Sequence, residues 1–110
     1  MPALVAPNFF GFALNSTTPV PVLPLNPSRG ALLFHNPNVA TGVNIWIAPG
    51  ANSANAGFTV APNGAGSFWI APGGDRLFLP PQFMIVPWFA CVDVGKAGNI
   101  SIMEFGWSGP

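Results

Sequence analysis

The sequence predicts an all-β protein: a single β-sandwich of the jelly-roll kind, preceded by a proline-rich extended arm. Three observations predict it. The 14 prolines and 13 glycines recur at intervals too short for a helix of ordinary length, and an internal proline costs a helix about 3 kcal/mol. The runs between them are rich in Val, Ile, Phe and Trp, as strands are. The 110 residues suit one domain with its own core.

Nine strands are predicted along the chain, because each apolar run ends at a turn of Pro, Gly or Asn residues. In order, they are Phe9–Leu14, Val20–Leu25, Ala31–His35, Val43–Ala48, Phe58–Val60, Ser67–Ala71, Arg76–Leu79, Phe83–Val94 and Asn99–Trp107. The third strand ends at Asn36-Pro37-Asn38 and the fourth at Pro49-Gly50. The long eighth run is expected to break at Pro87. Eight or nine short strands at this spacing favour a jelly roll.

The chain divides by composition into residues 1–27 and residues 28–110. Six prolines, at positions 2, 7, 19, 21, 24 and 27, lie in the first segment. Proline cannot donate a ladder hydrogen bond and favours extended geometry. Residues 1–27 are therefore expected to be an arm lying on a neighbouring subunit or an edge strand of the chain's own sheet. Residues 28–110 are expected to form the sandwich.

Several predicted strands are apolar on both faces. Successive side chains of a strand point to opposite faces, so Ile45 and Ile47 oppose Trp46. In the same way, Phe68 and Ile70 oppose Trp69. In the last strand, Ile100, Ile102 and Glu104 oppose Ser101, Met103, Phe105 and Trp107. A solvated sandwich strand is polar on its outer face, so the second face is expected to meet a partner.

The predicted subunit interface combines the outward aromatic residues with the arginines near turns. Its residues are Trp46, Trp69, Phe105, Trp107, Arg29 and Arg76. Three copies related by a threefold axis would bury such a face symmetrically, and closed symmetry is usual among oligomers.

The charge content excludes several classes of function. Only 5% of the residues are charged and the net charge is zero, whereas nucleic-acid binding requires a cluster of cations. The longest apolar run, Phe83–Val92, contains a proline and is shorter than the 18 to 20 residues of a spanning helix. The first residues lack the basic and apolar regions of a secretory signal. We expect no nucleic-acid partner and no membrane.

The sequence predicts no enzyme. His35 is the single histidine, and a triad of Ser28 or Cys91 with His35 and Asp75 or Asp93 would be the only triad at hand. Nothing in the spacing requires that triad, and no Gly-x-Ser-x-Gly elbow is present. No pair of acidic or histidine residues has a recognised metal-ligand spacing. We expect no catalytic residue, cofactor, metal or small-molecule substrate.

The segment Leu25–Pro37, followed by Asn44–Ile47, resembles small structural proteins of tailed bacteriophages. The shared features are an Asn-Pro-x-Arg turn, an apolar strand that ends in Asn-Pro, a short Ile-Trp-Ile strand, and a Pro-Gly-Gly turn before Arg76–Leu79. The resemblance covers about half of the chain.

This resemblance implies a virion structural protein, in particular a capsid decoration or cement subunit. Such a subunit would be a homotrimer made in the host cytoplasm and bound to the major capsid protein on the outer surface of the capsid. It would stabilise the head through apolar protein–protein contacts.

The alternative function is a receptor-binding or glycan-binding β-sandwich module of a tail fibre or tail spike. The four tryptophans could stack on sugars, as aromatic rings do in binding sites. Polar residues are scarce beside Trp46 and Trp69 in the sequence, which favours packing roles for these two residues.

Overall fold

The computed structural model describes residues 7–50, 59–79 and 85–106, which form eight β-strands and no helix. The strands are β1 (Asn8–Asn15), β2 (Val20–Leu23), β3 (Arg29–His35), β4 (Ile45–Pro49), β5 (Phe68–Ile70), β6 (Asp75–Phe78), β7 (Trp88–Val92) and β8 (Ala97–Gly106). One sheet, here called sheet A, has the order β1-β8-β3-β6, and the other, sheet B, has the order β2-β7-β4-β5. All strand pairs are antiparallel. The all-β prediction is confirmed.

The two sheets pack face to face around an aromatic centre. Trp88 of β7 is fully buried, and its ring lies 5.0 Å from that of Phe34 and 4.8 Å from that of Phe78, centroid to centroid. The aliphatic side chains around this centre come from both sheets: Leu14, Leu32, Ile100 and Ile102 from sheet A, and Val22, Ile45, Ile47, Ile70 and Val92 from sheet B. Burying each of them is worth roughly 1.5–3 kcal/mol relative to exposure, so this layer holds the sheets together.

The alternation predicted for the strands is confirmed. Ile45 and Ile47 of β4 are fully buried, whereas Trp46 between them is only partly buried on the outer face. In β8, Ile100, Ile102 and Glu104 are buried. Each sheet therefore presents a second face away from the core.

The described part of the first 27 residues lies within the two sheets. β1 pairs with β8 over its full length, from Asn8 opposite Glu104 to Asn15 opposite Ala97. β2 pairs with β7, with a register shift between Pro21 and Leu23. Both are edge strands, which suits a proline-containing strand such as β2. Residues 1–6 lie outside the described residues.

One predicted strand has no counterpart among the strands of the described residues, and the long eighth one is shorter than predicted. Val60 of the predicted strand Phe58–Val60 lies in a non-strand segment, and Phe58 lies outside the described residues. Strand β7 begins at Trp88, immediately after Pro87, so the predicted break occurs there. Nothing in the described residues forms a helix with the length and apolarity needed to cross a bilayer.

Two buried asparagines fix the connection between the sheets. The side-chain amide of Asn36 donates to the carbonyls of Val43 and Ile70, and that of Asn38 donates to the carbonyl of Asn99. Buried polar groups are costly unless they are hydrogen-bonded, and these bonds pair the asparagine amides with backbone carbonyls of both sheets and of the segment before β4. The side chains of the Asn36-Pro37-Asn38 turn therefore hold the connection between the two sheets in place.

Candidate functional surfaces

The outer face of sheet A carries a continuous row of apolar side chains. The strand register places Phe9 opposite Met103, Met103 opposite Leu33, and Leu33 opposite Leu77. Residues directly opposite one another share a face, so these four cross the whole sheet side by side. Phe9 is 71% exposed and Leu77 is 57% exposed. We call this set the apolar row.

A shallow groove runs beside the apolar row. The adjacent row of residues in the register is Gly11, Ser101, His35 and Asp75. The groove has a volume of about 340 Å³, and Phe9, Met103, Leu33, Ser101 and His35 are among the residues that line it. At the far end, the Nδ1 atom of His35 lies 2.5 Å from the Oδ1 atom of Asp75. The groove is apolar on one side and polar at one end.

The outer face of sheet B is covered in part by the chain itself. Val60 is buried against Ala48 and Cys91, with Trp46 and Phe89 packed around them. The segment that carries Val60, residues 59–67, is closed by its own hydrogen bonds. The backbone N–H of Thr59 donates to the carbonyl of Ala65 (2.7 Å), and the Ser67 hydroxyl donates to the carbonyl of Thr59 (2.5 Å). We call this segment the cover.

Beside the cover, two indole rings are joined by a chain of hydrogen bonds. Trp46 and Trp69 lie opposite each other in β4 and β5 and stack with centroids 6.4 Å apart and planes at 28°. The Trp69 Nε1–H donates to Oδ1 of Asn44, whose amide donates to Oδ2 of Asp93. The Trp46 Nε1–H donates to Oδ1 of Asp93. These four residues are called the indole network.

Sequence reasoning missed half of this network. Trp46 and Trp69 were singled out as outward aromatic residues, but Asn44 and Asp93 were not associated with them. Asp93 follows β7 and is 47 positions from Trp46, so only the pairing of β4 with β7 brings the two together. The polar partners that seemed scarce beside the tryptophans are supplied by a distant strand end.

Cys91 is a buried, protonated thiol. Its side chain lies beneath the cover and has no exposure. Burial, together with a smaller contribution from the nearby Asp93 carboxylate, raises the pKa of this thiol to about 11. Only the thiolate is a nucleophile, so the side chain is unreactive at neutral pH.

Arg29, predicted at the subunit interface, lies inside the chain. It is 1% exposed, and its Nε atom donates to the Glu104 carboxylate at 2.6 Å. Its terminal nitrogens donate to the carbonyls of Val86 (2.9 Å) and Pro24 (2.7 Å). Arg29 therefore joins β3, β8 and two connecting segments within the subunit, and its side chain is not part of the outer surface.

The other predicted interface residues occupy separate places. Arg76 is exposed on the edge strand β6, where its Nε atom donates to the carbonyl of Trp69 and its guanidinium lies 5.8 Å from the Phe68 ring centre. Phe105 is partly buried on the outer face of β8, opposite Ala31. Trp107 lies outside the described residues.

The residues considered for a catalytic triad divide between two sides of the sandwich. His35 and Asp75 meet on the outer face of sheet A, whereas Cys91 lies on the outer face of sheet B. Asp93 bonds Trp46 and Asn44. Ser101 lies opposite His35 in the register, a neighbour that only the strand pairing reveals. Among the described residues, no group of three or more His, Cys, Asp or Glu side chains is placed to hold a metal ion.

No protein-family model matches the chain, and no curated protein matches its sequence.

Proposed function

We propose that this chain is a structural subunit of a phage virion, a capsid decoration protein that associates with its own copies and with the major capsid protein. The apolar row on sheet A is the observation that carries the proposal. The low charge of the chain and the sequence resemblance to small structural proteins of tailed phages support it.

The proposal includes a jelly-roll topology. The antiparallel pairs β1–β8, β2–β7, β3–β6 and β4–β5 are those of one long hairpin folded at the β4–β5 connection and rolled into two sheets. The further pairs β3–β8 and β4–β7 place different parts of the rolled hairpin side by side within each sheet. Eight-stranded jelly rolls are common in viral capsid domains and in lectins. The strand order thus supports a virion role, and the surfaces of the sandwich carry the rest of the argument.

The apolar row sets the outer face of sheet A apart from that of an ordinary solvated sheet. Sheets that face water on one side alternate apolar and polar residues, whereas Phe9, Met103, Leu33 and Leu77 are all apolar on the outer side. Contiguous exposed apolar surface marks interaction sites. Fully burying a Phe or Leu side chain is worth roughly 1.5–3 kcal/mol, so a partner that covers the row would bind favourably.

The edge of sheet A beside the row also favours a partner. Exposed edges are normally protected by proline, charge or shortness. β2 contains Pro21, β5 has three residues, and β6 has four residues that include Asp75 and Arg76. β1 has eight residues with no proline and no charge. Of the four edges in the described residues, β1 is the one without protection.

The proposed occupant of this surface is a second copy of the chain, arranged about a threefold axis. The row carries no net charge, so it offers no complement to a strongly acidic or basic partner. Three copies would bury Phe9 and the adjacent β1 edge of each subunit against the next. On the capsid, each trimer would contact the shell through three copies at once. Even weak contacts would then bind the trimer firmly, because multivalent attachment strengthens binding.

Substitution of Phe9 by Asp tests the assembly. Phe9 is highly exposed, so the folded subunit should tolerate the change, whereas a carboxylate in an apolar contact would remain unpaired. We expect sedimentation velocity to give a trimer for the native chain and a monomer for Phe9→Asp. The matched control is Val94→Asp, since Val94 is 74% exposed in the turn between β7 and β8; it should stay trimeric.

A native chain that remains monomeric at high concentration would refute the assembly. So would a Phe9→Asp variant that trimerises as strongly as the native chain. The virion role has a separate test, cryo-electron microscopy of purified particles of the phage that encodes the chain. We expect copies in groups of three on the outer surface of the head, and particles that lack the chain altogether would refute that role.

A further inference from the structure

We propose that the indole network on sheet B is a binding site for a neutral carbohydrate, with the exposed ring of Trp69 as the stacking platform. The inference goes beyond the proposed assembly, because the network lies on the sheet opposite the apolar row. It rests on the rigidity of the Trp69 ring, the free hydrogen-bonding capacity around it, and the charge of the site.

The Trp69 ring is exposed and yet held in place. It is 49% exposed, although an indole of this size would be expected to bury much of its surface. Its Nε1–H is bonded to Asn44 at 3.0 Å, and one side of the ring stacks on Trp46. A ring fixed on two sides loses little conformational freedom on binding, and pre-organisation of this kind favours affinity.

Polar groups that suit hydroxyls lie beside the ring. Each Asp93 oxygen accepts one hydrogen bond within the network, and a carboxylate oxygen can accept two. The Asn44 amide nitrogen uses one of its two N–H groups on Asp93. Asn44 contacts the edge of the flat ring and Asp93 is bonded to Asn44, so a free donor and two acceptors lie on that side of the ring. This arrangement matches a pyranose, which has an apolar ring face and hydroxyls at its rim.

The charge of the network selects a neutral ligand. Asp93 is the charged member of the network, and it is acidic. The cation that contacts Trp69 is Arg76, whose guanidinium is engaged by the Trp69 carbonyl and the Phe68 ring. Lys96 meets the network through its backbone N–H, which donates to the Asp93 carbonyl. Phosphate and nucleic-acid recognition relies on cations. The site therefore favours an uncharged sugar over an anionic one.

The experiment uses the full chain on an array of neutral and sialylated oligosaccharides ending in glucose, galactose or mannose. Titrations with lactose and cellotetraose, followed by tryptophan fluorescence, measure the affinity. We expect binding to neutral glycans, a loss of affinity of at least about tenfold in Trp69→Ala, as alanine substitution of a stacked tryptophan anchor typically gives, and a smaller loss in Trp69→Phe. Val39→Ala is the control, since Val39 is 68% exposed between β3 and β4, outside both the apolar row and the indole network, and it should bind as the native chain does.

No binding to any glycan on the array by the folded native chain would overturn the proposal. Binding restricted to sialylated glycans, or unchanged affinity in Trp69→Ala, would overturn it as well. If Trp69→Ala instead abolished trimer formation while the native chain bound no glycan, the ring would be a subunit contact. These results leave the Phe9→Asp test unaffected, so the two proposals fail separately.

Discussion

The two outer faces of the sandwich have the same alternation of residues but differ in how far the chain itself covers them. In both sheets the strands alternate between core residues and outward apolar or aromatic residues. On sheet B the cover places Val60 over Ala48 and Cys91, and hydrogen bonds fix Trp46 and Trp69. On sheet A the apolar row has no such segment over it among the described residues, and Phe9 is 71% exposed.

The difference teaches that apolar residues on both faces of a strand do not by themselves identify an interface. The connection between β4 and β5 includes the cover, which packs on sheet B. The same pattern on sheet A leaves Phe9 and Leu77 exposed. Connections between strands therefore decide which apolar face is free for a partner.

The largest expected effect is a loss of folding free energy on substitution of Arg29, which is buried in the interior. Arg29→Met removes the guanidinium bonded to Glu104 and leaves a buried carboxylate without its counterion, which typically costs 3–5 kcal/mol of folding free energy. Urea unfolding at pH 7 measures it. Arg76→Met is the control, because that arginine is exposed and its loss should cost about 1 kcal/mol or less. Equal costs for the two variants would show that the buried pair contributes little.

The next comparison is between alanine substitutions of two glycines, Gly64 on the side of sheet B and Gly11 in sheet A. In Gly64→Ala the new methyl group would lie 2.3 Å from the Thr59 carbonyl oxygen within the cover, so the backbone must shift at a cost of roughly 1–3 kcal/mol. In Gly11→Ala the nearest atom is 3.9 Å away, so the stability should change by less than about 0.5 kcal/mol.

Thermal unfolding, together with labelling of Cys91 by a thiol reagent, checks this pair of glycine variants. We expect faster labelling only in Gly64→Ala, because a displaced cover exposes the thiol that it buries. Equal labelling rates in the two variants would mean that the cover does not protect sheet B.

The smallest expected effect is a dependence of the free energy of unfolding on pH, confined to alkaline solution. The pKa of the Cys91 thiol is raised by burial from 9.0 to about 11, so between these values the folded chain retains a proton that the unfolded chain loses. The free energy of unfolding should therefore fall as the pH rises through 9 toward 11. Urea unfolding at pH 8, 9 and 10 measures this slope. Cys91→Ala should reduce it, and an identical slope in that variant would assign it to other groups.

Local patterns predicted much of the fold. The alternation of Ile45, Trp46 and Ile47, and of Ile100 and Ile102 with their neighbours, correctly separated core from outer positions. The break at Pro87 followed from the missing N–H of proline. Val60 was wrongly placed in a strand, because a short apolar run has the same composition whether it pairs in a sheet or packs over one.

The candidate surfaces were predicted less well. Alternation in β1 placed Phe9 in a strand, but only the register showed Met103, Leu33 and Leu77 in line with it. Arg29 was predicted at the surface because it follows a turn in the sequence, yet the fold encloses it beside Glu104, 75 positions away. A residue's distance from a turn gives no information about such remote partners.

The sequence by itself determined the order and approximate position of the eight strands and which residues of each strand share a face. These properties depend on neighbouring residues and on the backbone restrictions of proline and glycine. The tertiary structure alone decided that Asp93 reaches Trp46, that His35 meets Asp75 and that the cover protects sheet B. Such contacts join residues tens of positions apart, and they exist only once sheet order and register are fixed.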